Sequence, residues 1–237
     1  LLRIRRIFNE SEGRYGSPKV YRTLKSQGIR VGENRVARLM RVWGMKARTH
    51  RIYRRLLTRR AVLKAWPNYR LAMAKPVAIN QQWSSDVTYI KMGRKNVFLA
   101  VVLDLFSRRI VGWKLEASLS GDLSCGALKQ AMADRSPSPG LLLHTDRGTE
   151  FRALKMRNML TRHQVVHSMS RPGYCTDNAE VESFFKSLKG ELLHATSFVT
   201  LRQLRHHIKH YIERFYNTRR LHSSLGYRTP LEFEGAN

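Results

Sequence analysis

The sequence predicts an α/β protein: a mixed sheet flanked by helices, preceded by a small all-α helix-turn-helix module. Three observations carry this expectation. Apolar residues recur at helical spacing through the first 50 positions, and from Gln82 onward short β-branched and aromatic runs alternate with turn signals. The 237 residues leave room for a domain of about 150 residues behind a small helical module. Hydrophobic residues make up 42% of the chain, enough to build a core, which excludes a disordered basic tail.

Residues 1–50 read as the helical module. Ser17 before Pro18 marks a helix start, a capping hydroxyl with proline at the first helical position. Val20 and Leu24 share a face, and Gly28 supplies the stop. A second helix is expected from about Glu33 to Trp43, with Val36, Leu39, Met40 and Trp43 along its core face and Gly44 at its end. Arg35, Arg38 and Arg41 lie between those apolar positions as a basic stripe. Two short helices around a glycine turn, the second carrying arginines, describe a helix-turn-helix DNA reader. A small bundle with a solvated basic face is the plainer alternative.

Residues 51–76 form a basic linker with Arg51, Arg54, Arg55, Arg59 and Arg60, closed by Pro76. The catalytic-sized region then runs from 77 to 237. Strands are expected at Trp83–Lys91, Val97–Asp104 and Ile110–Leu115, the first two joined through a turn at Met92 to Asn96. A helix over Ser120–Ala133, a strand over Leu141–Thr145, a helix over Glu150–Arg162 and a strand over Val165–Ser168 follow. Long helices close the chain at Asn178–His194 and Thr200–Tyr216. Three strands in a meander, then strands alternating with helices, give a mixed sheet with helices packed on it.

Charge points to the partner. Lys and Arg number 44 against 17 acidic residues, a net of +27, and such a field favours a polyanion through counterion release. Residues 1–75 hold 21 of the basic and three of the acidic residues, so most carboxylates lie in the second region, where chemistry is expected. The two cysteines, Cys125 and Cys175, show no pairing pattern and suit a reducing cytoplasm. No apolar run approaches the roughly 18 residues of a membrane span, and no signal peptide is visible. The chain begins at Leu1 rather than Met, which fits a fragment or the downstream part of a longer product.

Three acidic residues stand out together. Asp86 lies in the first strand, Asp146 directly after the fourth, and Glu182 in the helix that opens near Asn178, with 35 residues between the last two. Displacement at a phosphodiester by water or a DNA 3′-hydroxyl can be stabilised by two Mg²⁺ ions, about 3.5–4 Å apart, on the attacking and leaving oxygens. Mg²⁺ prefers hard oxygen ligands and keeps waters, so a few carboxylates on rigid elements suffice. Singly, each acid reads as a turn former or a solvated side chain. Glu180 is a rival to Glu182, but two residues amount to about 200° around a helix, so both cannot face one site.

These residues resemble the D-D-35-E transposase and integrase superfamily. Within it they are most similar to the second-frame product of the insertion-sequence family whose two frames are fused by ribosomal frameshifting. The similarity runs through Tyr15-Gly16, Val36 to Met40, Trp83 to Ile90, Val102 to Trp113, the His144-Thr145-Asp146 motif, Arg171-Pro172-Gly173, and Asp177-Asn178 through Glu182 to Lys186. It continues at Tyr216-Asn217, Arg220, His222, Leu225-Gly226-Tyr227 and Pro230, nearly the whole chain. The resemblance implies a ribonuclease H-like fold and DNA transposition by nicking and strand transfer. Asp86, Asp146 and Glu182 would serve as catalytic and metal-binding residues for two Mg²⁺ or Mn²⁺ ions. Glu150 and Phe151 stand where the family pattern has Gln and Tyr or a similar pair. The family's first-frame region and the zinc-binding module of retroviral integrases are absent from this sequence.

Lys186 and Lys189 follow Glu182 on the same helix face and are expected to contact DNA phosphate, and the resemblance singles out Lys189. Asp104 reads as structural, Asp177 and Asn178 as the helix cap, and His144 and His167 as packing residues. Trp83, Trp113, Tyr89 and Phe98 read as core. The roles of Arg219, Arg220 and His222 stay open between DNA contact and anchoring of the last helix.

The expectation is a bacterial, cytoplasmic, nucleoid-associated transposase acting on DNA as a dimer or larger assembly, with possible fusion to an upstream first-frame region. A hydrolytic nuclease on the same fold and a non-catalytic DNA-binding regulator are the alternatives, with an RNA-binding structural protein behind them.

Overall fold

The computed structural model describes residues 1–47, 66–172 and 174–236. Arg51, Arg54, Arg55, Arg59 and Arg60 of the linker, and Gly173, lie outside the described residues.

The chain starts with three helices, α1 (Leu2–Glu10), α2 (Ser17–Ser26) and α3 (Glu33–Val42). Ile4, Ile7, Val20, Leu24, Val36 and Met40 are buried among them. Two details differ from expectation. Gly16, not Ser17, is the N-cap of α2, and Ser17 makes no capping bond, although Pro18 sits in the first turn as predicted. Trp43 is 58% exposed instead of buried. The helix ends one residue earlier, and the chain turns away through Gly44 at φ 65°.

After α4 (Tyr69–Ala72) come β1 (Gln82–Met92), β2 (Lys95–Asp104) and β3 (Ile110–Glu116), an antiparallel meander. Met92 pairs with Lys95, leaving a two-residue turn whose first residue, Gly93, has φ 59°, the left-handed conformation such hairpins require. Helix α5 (Gly121–Arg135) leads to β4 (Leu142–Thr145), then α6 (Thr149–Arg152), α7 (Leu154–Arg162) and β5 (Val166–Met169). Strand β4 lies parallel to β1, and β5 parallel to β4, giving the order β3-β2-β1-β4-β5.

The helix expected over 150–162 breaks at Ala153, whose backbone is extended. Phe151 and Met156 are both fully buried. Five residues apart on an unbroken helix they would diverge by about 140°, and the break lets both enter the core.

Each face of the sheet is covered. Leu99, Val101 and Leu103 of β2 join a cluster with Val181, Phe184 and Leu188 of α8 (Ala179–Glu191), and this cluster extends to the three N-terminal helices. Ala100 and Val102 face the other way, toward Leu123, Ala127 and Leu128 of α5 and Met156 and Leu160 of α7. A Cβ at Gly112 would overlap the Ala127 carbonyl, so glycine there lets α5 lie close on β3.

The helix expected over 200–216 begins at its Thr200 cap as α9 (Leu201–His210) and then widens into a π-helical stretch, Tyr211–Tyr216. This widened turn sets Tyr216 edge-on to Phe184 of α8, with ring centroids 4.8 Å apart. The chain finishes with α10 (Pro230–Gly235), opened by a Thr229–Glu232 capping box. Among the described residues, no helix is long and apolar enough to cross a membrane.

Candidate active site

Strand β1 outruns its neighbour β4. Ser85 pairs with Thr145 on the last shared rung, and the next residues are Asp86 and Asp146. The two carboxylates therefore stand at equivalent positions, where β4 has ended and β1 continues. Each is oriented locally: Asp86 Oδ1 accepts from the Val87 amide at 2.8 Å, and Asp146 Oδ1 from the Gly148 amide at 2.8 Å. Neither has an ion-pair partner among the described residues.

Helix α8 is fixed over this point from its start. Asn178 was expected to cap the helix, yet its side chain makes no capping bond. It bonds the Ser84 hydroxyl instead and donates to the Ser85 carbonyl at 3.3 Å, pinning the helix start to β1. Asp177 is held by Arg171 at 2.9 Å and by Asn68 at 2.9 Å, rather than capping. Glu180 is engaged by Arg70 at 2.6 Å and Arg108 at 3.2 Å. Glu182, about 200° further round, carries its charge near enough to Asp86 to raise that group's pKa.

Burial, then the neighbouring Asp146, push the Asp86 carboxyl up to about 8. Glu182 and Glu150 add to that push, while the Val87 hydrogen bond opposes it. Asp146 is also raised, by burial, against the Gly148 amide and Arg152. Glu150 is a further carboxylate at this place that motif spacing did not single out. Its side chain folds back over Gly148, where a Cβ would strike it, and burial and Asp146 raise its pKa. The signal for it was the acid standing in a family position for Gln.

These donors fit a divalent cation. They are hard carboxylate oxygens crowded together, whose mutual repulsion a cation would relieve. Among the described residues, no three acidic, imidazole or thiol groups are drawn into a closed metal cage. Asp86, Asp146 and Glu182 would hold the ions, with Glu150 beside them.

Lys189 lies on the same side of α8 as Glu182, its Nζ 5.3 Å from the Tyr89 ring centre and near enough to Asp86 to feel its charge. Burial lowers the Lys189 pKa and Asp86 counteracts it. Tyr89 is 62% exposed, not core, and forms a platform on the strand that carries Asp86. Lys186 is exposed one turn after Glu182. Arg35, Arg38 and Arg41 are all exposed on α3.

The other expected bystanders are structural. Asp104 is fully buried and accepts from the Asn80, Phe106 and Ser107 amides and the Trp83 indole. His144 is fully buried between the Ser168 and Ser170 hydroxyls, at 3.0 Å from each. A cleft of about 1030 Å³ lies elsewhere, between α1–α2 and the C-terminal loop, with Arg22, Lys25, Arg219 and Arg228 in its wall. A site that must admit a stiff duplex is an open surface, so cavity size does not locate it.

A nucleic-acid-processing fold with paired carboxylates at a strand end defines a class, the integrase-type polynucleotidyl transferases. The integrase core domain family matches residues 76–175 and again 163–230, and an HTH-like domain matches residues 1–53. The chain is 36% identical to the transposase for insertion sequence element IS904 of Lactococcus lactis, over 99% of this chain and 93% of that one. It is 35% identical to transposase InsF for insertion sequence IS3A of Escherichia coli K12, over 97% and 80%. Among solved structures, the HTLV-2 integrase catalytic core in complex with magnesium (trimeric form) superposes with a TM-score of 0.51 at 18% identity, covering 67% of this chain and 98% of that one. The simian T-cell lymphotropic virus intasome gives 0.56 at 14% identity, over 97% and 73%. The likeness to these structures is one of fold, ribonuclease H-like. The chain belongs to the DDE-type insertion-sequence transposases of the IS3 kind and is a DNA transposase.

Proposed function

We propose that this transposase nicks the ends of its element and joins the freed 3′-hydroxyl to a second phosphodiester, using Asp86, Asp146 and Glu182 as one centre. The single observation that supports this reading is the placing of Asp86 and Asp146 side by side just past the last β1–β4 rung, with α8 fixed above them. Two Mg²⁺ or Mn²⁺ ions, when bound, would supply charge stabilisation at the attacking and leaving oxygens.

The chain's own residues do the rest. Asp86 and Asp146 hold the metal-binding edge of the sheet, and Glu182 closes it from the helix. Lys189, stacked over Tyr89, grips the phosphate next to the reacting one, and Lys186 contacts the backbone one turn away. Arg35, Arg38 and Arg41 hold the element end, so residues 1–50 serve recognition and residues 77–237 chemistry, joined by the basic linker 51–76. Water and the 3′-hydroxyl are the attacking groups, so no covalent protein–DNA link forms. Two ends must meet, so a dimer or larger assembly on DNA is expected, in the cytoplasm beside the nucleoid.

The test incubates the protein with labelled element-end DNA and Mg²⁺ or Mn²⁺, alongside Glu182→Gln. Metal-dependent nicked and joined products that vanish in the variant support the reading. Cutting without joining, with the upstream first-frame region also supplied, points to a nuclease, and binding without chemistry to a regulator.

A further inference from the structure

The catalytic helix is gripped from behind, at its far end, by a buried ion pair. Glu191 and Arg220 have side chains only 7% and 14% exposed, and Arg220 meets Glu191 as a fork, Nη2 to Oε1 at 2.9 Å and Nε to Oε2 at 3.0 Å. The same guanidinium donates to the Ser187 hydroxyl at 2.9 Å, so one side chain holds two successive turns of α8. Tyr211, at the start of the π-helical stretch, donates to Glu191 at 2.8 Å. Glu191 stands nine positions after Glu182, about 180° of helix, so the grip lies on the face opposite the triad.

The N-terminal helices end on the same anchor. Arg14 Nε donates to the Glu191 carbonyl at 3.3 Å, at the α8 C-terminus, and its guanidinium lies over Phe215, 4.4 Å from the ring centre. Tyr15 donates to the Arg219 carbonyl at 2.5 Å, and its hydroxyl accepts from the Leu221 amide. The recognition module, the C-terminal segment and the helix carrying Glu182 and Lys189 thus converge on one pair.

We propose that Arg220 and Glu191 are positioning residues for transposition: they fix α8 in register with the N-terminal helices, so that DNA seated on α3 and the carboxylate of Glu182 share one reference. This rests on the reading of Asp86, Asp146 and Glu182 given above. A buried ion pair is a poor source of stability compared with apolar residues of similar volume, whereas a planar fork between fixed partners sets register.

That difference supplies the test. The double variant Glu191→Met/Arg220→Met refills the buried volume, and Arg220→Lys keeps the charge without the fork and serves if the double variant does not fold. Thermal unfolding selects variants within a few degrees of wild type. On these, Mn²⁺ affinity is measured by calorimetry without DNA, and joining rate at saturating element-end DNA. Positioning predicts Mn²⁺ binding weakened at least fivefold and joining slowed at least tenfold, with affinity for the DNA end unchanged within twofold. Recovery of metal affinity and rate along with stability overturns the proposal and leaves the pair purely structural. Asp86→Asn is the control. If it binds Mn²⁺ like wild type, the metal centre itself is wrongly assigned and the proposal falls with it.

Discussion

Asp86 and Asp146 each lie one residue past the Ser85–Thr145 rung, the last at which β1 and β4 are paired. Their carboxylates are neighbours because the sheet ends there for one strand and not the other. Ligand sites of sheets with parallel strands tend to gather at the carboxyl ends of those strands, and here that end is where the negative charge accumulates.

Crowded acids cost the metal-free fold. Burial and the charges of Asp146, Glu182 and Glu150 hold the Asp86 carboxyl up at about 8, so near neutral pH folding must protonate it, and Asn removes that cost. The variant should melt about 2–6 °C higher than wild type in EDTA, a gain on the order of 1–2 kcal/mol. Added Mg²⁺ or Mn²⁺ should raise the wild-type melting temperature and leave the variant's nearly unchanged. Calorimetric scans with and without metal check both.

Lys189 and Lys186 should not behave alike. Lys189 lies over the Tyr89 ring and within reach of the Asp86 charge, whereas Lys186 is exposed. Lys189→Ala is expected to slow joining on the order of tenfold and to lower the salt slope of DNA binding by about one, with a smaller effect from Lys186→Ala. Tyr89→Ala should reproduce part of the Lys189 defect. Anisotropy titrations across salt concentrations separate these outcomes.

The α3 arginines offer a separable loss. Arg35→Ala, Arg38→Ala and Arg41→Ala should each weaken end binding and reduce its salt slope by about one, without altering Mn²⁺ binding to the free protein. Unchanged DNA affinity in all three would mark this face as merely solvated.

Three desolvated histidines, two of them buried and His167 partly so, should make folding acid-sensitive. Burial holds His144 and His167 down at about 4 and His222 at about 3, so all three are neutral in the folded chain at pH 5. The unfolded chain takes up protons near 6.5, so the histidines' contribution is full above that value and is lost as pH falls toward the folded values. Asp86, pushed up to about 8, gains stability over the same window and offsets part of that loss. Urea unfolding should show a loss of about 2–4 kcal/mol between pH 7.5 and 5. His222→Asn should flatten part of that slope.

Glu180→Gln probes the other face of α8. It breaks the contacts with Arg70 and Arg108, which are about one-fifth to one-quarter exposed, and should cost about 1–2 kcal/mol in urea unfolding. Mn²⁺ affinity should hold, because Glu180 points away from Asp86.

Much of this was legible along the chain. Alternation and turn residues located β1, β2 and β3 to within two residues, because each strand is half or fully buried and bounded by Gly, Asn or Ser. Spacing singled out the three acids, two of which the structure sets side by side. What local pattern could not reach was tertiary choice. Asn178 has the chemistry of a cap, but its partners stand on β1, more than 90 residues back. Trp43 and Tyr89 fit apolar periodicities and are exposed all the same, because a helix ended early and a strand ran beyond its neighbour. The break at Ala153, the π-helical stretch and the Glu191–Arg220 pair depend on partners distant in sequence, which periodicity does not encode.

The sheet is also closed at both sides. On the β5 side, the stretch just before α4 runs alongside: Met169 donates to the Pro67 carbonyl and Arg147 to that of Trp66. On the β3 side, Asn217 bonds both the amide and the carbonyl of Ile110, Gln130 takes the Trp113 amide, and Arg205 caps the Leu115 carbonyl. Each of these contacts occupies part of a sheet edge, which limits the strand left for another chain to add to. Copies assembling on DNA, as proposed above, would meet through helices, loops or the DNA itself. A version trimmed at residue 76 would lose the cover over β5 and become sticky at that side.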